Sequence, residues 1–289
     1  MSDQIKRNPH PDFKKVEASR PAWDDASRFR FTRTVDPDWA FGHGSDGSSS
    51  SSKHIAIDPY APGRPDVFNY KLLISGIVPR PIAFLSTRSA DGSSTNLAPF
   101  SYFNVMSHDP PLFVVGFASG IDAAVAKGAK DTLRNLVETR EAVVNIISES
   151  FLEAANATSI DAPYGVSEWD VAGLTPVRDC ETVRCARVAE AVFSVEVKVD
   201  ELKEHGSKRD PSNKTSTIAI LEGTRFWVRE DALNEEKNLI DPAILRPISR
   251  LGGISYARTT EALELPRPKF EDHLGGHEGF EKLKNSKRS

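Results

Sequence analysis

The sequence predicts a mainly β protein, a β-barrel with a few inserted helices. Three observations predict it: many short strand signals, one strong hairpin turn, and the absence of the strand–helix alternation that builds doubly wound sheets. Pro81–Thr87 is a short apolar run that follows two prolines. Ser89–Thr95 contains Asp91-Gly92, a dipeptide that favours the φ > 0 turn of a tight hairpin. Leu112–Ala118 and Ala142–Ile147 are continuous apolar runs of strand length, which predicts buried strands. Phe193–Asp200 alternates without a break. Phe193, Val195, Val197 and Val199 are expected to face the core, with Ser194, Glu196, Lys198 and Asp200 facing water. Thr217–Val228 adds one or two further strands.

Helix signals are fewer. Asp131–Arg140 carries Leu133, Leu136 and Val137 on one stripe. Ser150-Phe-Leu-Glu153 has the spacing of a capping box opening a short helix through Ala157. Asp231–Lys237 and Pro242–Leu245 are further helical candidates.

Composition divides the 289 residues into three zones. Residues 1–55 form a polar, partly disordered arm ending in Gly42–Ser52, whose five consecutive serines cannot bury enough apolar surface to offset their ordering entropy. Trp23, Phe29, Phe31, Trp39 and Phe41 make this arm too aromatic for a purely solvated tail, so some of them are expected to pack on the body. The body spans 56–268. Residues 269–289, charged and glycine-rich, read as a flexible tail.

A net charge of -4 gives no reason to expect a nucleic-acid or acidic-membrane partner. No apolar run approaches the roughly 20 residues needed to span a bilayer, and Met1–Arg20 lacks the apolar core of a signal peptide, so a cytoplasmic location is expected. Cys180 and Cys185 fit neither a redox pair nor a zinc site and read as structural thiols.

Two motifs are decoys. Gly42-His-Gly44-Ser-Asp-Gly47 matches GxGxxG, but a dinucleotide fingerprint needs a helix after it, and a serine run follows instead. His273 and His277 have metal-like spacing, yet the two glycines between them break the helix that would align them. No Ser/His/Asp grouping or HExxH is present, so no catalytic side chain and no metal site is assigned.

The informative stretch starts at Pro79-Arg80-Pro81, with Ser86-Thr87 at the end of the strand. Asn96-Leu-Ala-Pro-Phe-Ser-Tyr-Phe-Asn104 is apolar enough for core, yet carries amides and a hydroxyl at intervals. Pro99 is expected to interrupt the ladder and free backbone groups for a planar heteroaromatic ligand. An ordinary edge strand with a bulge would use the same residues. Lys130-Asp131-Thr132 opens a helix, whose N-terminal N–H groups and partial positive charge favour an anion. Lys130 adds a charge and Thr132 a hydroxyl, which suits a phosphate cradle or, in isolation, a plain helix cap.

The order PRPIAFLST, DG, NLAPFSYFN with SxDPP, KDTLRN and AVVNI resembles the flavin reductase-like, FMN-binding split-barrel family. Asp161-Ala-Pro-Tyr164 through Gly173-Leu174-Thr175, and Arg250-Leu-Gly-Gly253 with Tyr256, are similar to later parts of that pattern. The likeness covers about Tyr70 to Pro268. It implies a Greek-key split β-barrel, a homodimer, and FMN in a groove at the dimer interface. Ser86 and Thr87 would then lie beside the flavin, and Asn96 with the Leu97-Ala98 backbone would hydrogen-bond the ring or ribityl chain. Ser101 and Tyr102 would line the groove. Lys130 and Thr132 would hold the phosphate, while Asp131 would cap the helix or meet ribityl hydroxyls. Arg250 and Tyr256 would make cofactor or dimer contacts. The implied activity is NAD(P)H-dependent oxidoreduction through FMN to an unknown small-molecule acceptor, with a non-catalytic FMN-binding electron carrier or sensor as the alternative. The long aromatic arm departs from the plain family pattern and favours FMN as a tightly held group.

Overall fold

The computed structural model describes residues 12–45, 53–123 and 131–286. Seven antiparallel strands form the main sheet: β1 (Ala83–Arg88), β2 (Thr95–Phe100), β3 (Phe103–His108), β4 (Pro111–Phe117), β5 (Glu141–Ile146), β6 (Phe193–Gly206) and β7 (Lys214–Val228). Their order across the sheet is β2-β1-β5-β6-β7-β4-β3. The chain therefore makes a hairpin at one edge and another at the opposite edge, with only Ser101 and Tyr102 between the two edge strands β2 and β3. So short a link holds the end of β2 close to the start of β3 at that corner. Phe100 at the end of β2 and Phe117 at the end of β4 pack there, ring centroids 4.8 Å apart.

The first hairpin matches the sequence expectation closely. Gly92 takes φ 76°, and the Ser89 N–H donates to the Ser94 carbonyl at 2.9 Å. The Asp91 carboxylate accepts from the hydroxyls of Ser89 and Ser93, which brings its pKa down to about 2. The apolar core lies on both faces of β1, which explains its unbroken apolar run. Leu85 joins Val115, Leu133, Leu136, Val144, Val195 and Leu221 on one face, while Phe84 packs with Leu97, Phe151, Trp169 and Val188 on the other.

Several elements differ from expectation. Ser194 and Glu196 do not face water. Both are buried, because Ser194 donates to Asn145 Oδ1 at 2.7 Å and Glu196 collects donors from the 181–183 loop and Trp227. Thr217–Val228, expected to give one or two strands, agrees with the first of these and lies in the single strand β7. Pro99 does not interrupt β2, whose pairing with β1 continues through Phe84↔Pro99 and Ala83↔Phe100. An edge strand tolerates a proline because its outer side has no ladder to supply.

Four helices position or flank the groove along β2: α1 (Asp66–Gly76), α2 (Asp131–Thr139), α3 (Leu152–Ala157) and α4 (Glu168–Ala172). No amphipathic pattern marks α1 in the sequence, because its apolar residues lie all round it. Only Ile74 is buried, while Val67, Phe68, Tyr70, Leu72 and Leu73 stay exposed. α2 ends at Thr139, one residue short of the expected end, and Arg140 after it takes φ 60°. Ser150 does not cap α3. A 3-10 turn at Glu149–Phe151 precedes it, pinned by the Ser148 hydroxyl on the Leu245 carbonyl and the Arg246–Glu149 ion pair. Of Asp231–Lys237 only a 3-10 turn at Glu230–Ala232 forms. Asn234 draws the rest into a loop by accepting the N–H groups of Asn238 and Leu239. Pro242–Leu245 is helical, capped by Asp241. Burial pushes the Cys180 and Cys185 thiols up to about 12.

The chain divides into two compact units. One comprises Met1–Ser27 and Gly63–Thr259 and holds the main sheet. Within it Trp23 lies under the Arg258 guanidinium, 4.3 Å from its carbon. The other comprises Arg28–Pro62 and Thr260–Ser289, where Arg30–Thr32 pairs in parallel with Glu261–Leu263. Residues Phe270–Leu274 and Gly276–Ser286 of this unit are helical, with i,i+4 pairing of Glu278 and Lys282. His273 accepts the Lys269 N–H and His277 packs edge-on to Phe270. Residues 46 and 47 of the GxGxxG match lie outside the described residues. No helix among the described residues is long and apolar enough to cross a membrane.

Candidate functional site

β2 is an edge strand with no strand partner on its outer side, and α2 starts beside it. Asn96 and Thr132, 36 positions apart, meet there: Asn96 Nδ2 donates to Thr132 Oγ1 at 2.7 Å, and both residues are buried (5% and 2% exposed). One face of this pair lines a cavity of about 210 Å³ together with Ala98, Asp131, Ser159 and Glu168. A second cavity of about 260 Å³ holds Ser101, Tyr102, Arg80, Arg250 and Tyr256. Pro99, Phe100 and Ser159 line both cavities, so the two form one groove along β2.

The residues read from the sequence distribute unequally along this groove. Asn96, Ala98, Asp131 and Thr132 line the first cavity, and Ser101 and Tyr102 the second. Ser86, Thr87 and Leu97 line neither. Ser86 and Thr87 are buried beneath β2, with Thr87 Oγ1 accepting from Asn135 Nδ2 of α2 at 3.0 Å. Leu97 turns its side chain into the core, and its N–H donates to Glu168 at 3.3 Å. Lys130 lies outside the described residues.

Sequence reading missed Glu168. It opens α4 and is almost wholly buried, and it reaches β2 across 71 positions of sequence. Burial raises its pKa. The N–H groups of Glu168 and Leu97 oppose that rise, and the nearby Asp131 charge adds to it. Arg80, Tyr70 and Ser159 were also missed as lining residues. The Ser-Glu-Trp start of α4 was the only local signal for Glu168, and nothing local points it at β2.

Chemically, the first cavity presents a hydroxyl, a primary amide and the N-terminal turn of α2, alongside the carboxyl groups of Asp131, Asp161 and Glu168. Donors of this kind suit a phosphate, and carboxylates accept from the hydroxyls of a polyol chain. The second cavity presents aromatic and proline walls, which suit a planar ring. A flavin mononucleotide combines all three parts, its ring suited to the Pro99 and Phe100 walls that both cavities share. Among the described residues no cluster of His, Cys, Asp and Glu is arranged to hold a metal ion.

The family model for the flavin reductase like domain matches residues 75–245. The chain belongs to that family. A curated, uncharacterised protein of Halalkalibacterium halodurans is 37% identical over 200 residues, spanning 69% of this chain and 91% of its own length. Nitrilotriacetate monooxygenase component B from Bacillus cereus is 34% identical with a TM-score of 0.67, and the match covers 74% of this chain and all of that one. The 2-nitrobenzoate 2-nitroreductase of Pseudomonas fluorescens is 31% identical with a TM-score of 0.61, over 75% of this chain and 98% of that one. Membership supports a flavin-related oxidoreductase as the activity class.

Proposed function

We propose that this chain is an FMN-dependent oxidoreductase that takes reducing equivalents from NAD(P)H and passes them to a small-molecule acceptor in the cytoplasm. The observation that carries the proposal is the Asn96–Thr132 hydrogen bond. It ties the amide on the ring-binding strand to the hydroxyl at a helix start, inside one groove.

Bound flavin supplies the two-electron chemistry, so the chain needs only to bind and orient it and to set its surroundings. Asn96 and the Ala98–Pro99 backbone face the ring and ribityl chain. Thr132, the first turn of α2 and Lys130 hold the phosphate. Asp131 and Glu168 accept from ribityl hydroxyls. Ser86 and Thr87 act from behind β2, through Asn135 and the strand itself, and not by touching the flavin. Ser101 and Tyr102 wall the groove at the corner between β2 and β3. The absence of an assigned general base is compatible with chemistry that resides in the cofactor.

The proposal includes the split barrel over residues 56–268 and a homodimer with FMN at the interface. Its support is the exposed apolar set on α1, with Val105 and Met106 on edge strand β3. So much apolar surface on a helix otherwise belongs in an interior. Anaerobic stopped-flow mixing of the flavin-loaded protein with NADH and with NADPH tests the activity. Bleaching of the visible flavin band by at least one of them is expected. Tight FMN binding with no bleaching by either would refute the reductase reading and leave a carrier or sensor.

A further inference from the structure

Arg80 and Arg250 stand directly opposite each other. Their backbones exchange both hydrogen bonds, Arg80 N–H to the Arg250 carbonyl at 3.1 Å and Arg250 N–H to the Arg80 carbonyl at 2.9 Å. Side chains at such positions are neighbours, and like charges placed so destabilise the pairing. Both residues line the second cavity of the groove.

Neither charge is offset by a carboxylate. Arg80, 7% exposed, donates from one terminal nitrogen to the carbonyls of Ile74 and Ile77 and from the other to that of Leu251. Arg250 donates to the Gly253 carbonyl and lies over the Tyr256 ring at 4.3 Å. Arg80 Nε and one terminal nitrogen of Arg250 are buried without a hydrogen-bond partner. Among the described residues neither arginine forms an ion pair, and no Asp or Glu lines the cavity. Arg187 and Arg246 of this unit pair with Asp179 and Glu149, whereas Arg140 also bonds only carbonyls, those of Val199 and Asp200, without a second arginine opposite it. Two adjacent cations held in a poorly hydrated place without an anion are costly, and a folded chain keeps such an arrangement where a ligand completes it.

The rest of the cavity indicates the ligand. Tyr102 lies within the field of Arg80 and Tyr70. Burial pushes its phenol up, Tyr70 adds to the rise and Arg80 opposes it, so near neutral pH the hydroxyl keeps its proton as a donor. Pro99, Phe100 and the Tyr256 ring give flat apolar walls. The volume, about 260 Å³, falls below the roughly 300 Å³ at which pockets for drug-sized ligands begin. That suits one ring bearing one acidic group.

We propose that the Arg80–Arg250 end of this cavity is an oxyanion subsite that takes the carboxylate of a small planar aromatic ligand, next to the Asn96–Pro99 stretch of the same groove that is given to the flavin ring. The flavin reading supplies only the identity of the neighbour; the excess positive charge of the cavity stands without it.

Benzoate is the probe, benzamide the neutral control, and calorimetry on the FMN-saturated wild-type protein and on Arg250→Gln the measurement. Benzoate should bind the wild-type protein at least tenfold more tightly than benzamide, and Arg250→Gln should weaken benzoate at least tenfold while benzamide stays within twofold. Absence of benzoate binding to FMN-loaded protein, or equal binding of benzoate and benzamide, would overturn the proposal and leave the flavin reading intact. Loss of FMN affinity in Arg250→Gln with riboflavin affinity unchanged would also overturn it, since the cavity would then seat the flavin's own phosphate. If FMN fails to bind at all, the flavin reading falls separately, and the same benzoate criteria applied to the flavin-free protein decide this one. Arg80→Gln removes three carbonyl contacts as well as the charge, so Arg250→Gln carries the test.

Discussion

The Asn96–Thr132 pair allows the two halves of the candidate site to be tested together. Replacing Thr132 with Val keeps the shape but leaves the buried Asn96 amide without its acceptor, and an unsatisfied buried donor costs roughly 1–3 kcal/mol. Asn96→Leu removes the same bond from the other side and should cost a similar amount. The double variant has no polar group left stranded, so its loss should be no greater than that of the worse single change. The two effects should therefore fall short of additivity by about 1–2 kcal/mol. Urea unfolding of the four flavin-free proteins measures this cycle. For the ligand, Thr132→Val removes one hydroxyl donor from a phosphate, a charge-assisted bond worth about 1.5–3 kcal/mol, so FMN affinity should fall about tenfold to a hundredfold. Riboflavin, which lacks the phosphate, should be affected by less than twofold in a parallel fluorescence titration. Fully additive stabilities would refute the role given to the hydrogen bond, and equal losses for FMN and riboflavin would refute the seat given to the phosphate.

Two further predictions concern carboxyl groups that the sequence alone misjudges. Burial raises the pKa of Glu196, but the Thr182 hydroxyl, the Glu181 N–H, the Trp227 indole and the Thr182 N–H outweigh burial and bring it down to about 2. A depressed carboxyl stabilises the fold above its ordinary value of 4.5 and loses that contribution as pH falls toward about 2. The contribution is about 3 kcal/mol at full strength and about 2 after allowance for solvent screening. Glu196→Gln should lose about that much at pH 7 and differ little from the wild-type protein near pH 2, as measured by denaturant unfolding at each pH; a difference independent of pH would contradict the assignment. Glu168 runs the other way, with burial as the first cause of its raised pKa. Its folded form holds the proton more tightly than the unfolded chain, so the stability it confers is present below the ordinary carboxylate value and lost as pH rises through the folded one. Glu168→Gln should remove that decline, and an unchanged pH profile would contradict it.

The sheet was legible where a strand is buried on both faces or turns tightly. Ala142–Ile147 reads as an interior strand and gives one, Leu112–Ala118 gives a strand buried fully on one face and partly on the other, and Asp91-Gly92 specified its hairpin locally. Alternation misled at Ser194 and Glu196 because it presumes one wet face, whereas Asn145 on the neighbouring strand satisfies Ser194, and the Thr182 N–H and the Trp227 indole satisfy Glu196. α1 was illegible because apolar residues on every side give no stripe to detect. In the site, the Asn96 and Thr132 half-sites were both visible as local oddities of composition, and their hydrogen bond could not be read from either one. Glu168 against Leu97 and Arg80 against Arg250 are products of folding topology. They join residues far apart in sequence, and no local spacing announces them.

A crystal structure of the protein with FMN bound tests the proposed seat of the flavin most directly. The ring is expected along the Asn96–Pro99 face of β2, with the phosphate within hydrogen-bond distance of Thr132 at the start of α2. A phosphate lodged between Arg80 and Arg250, or a flavin bound away from β2 altogether, would contradict that placement.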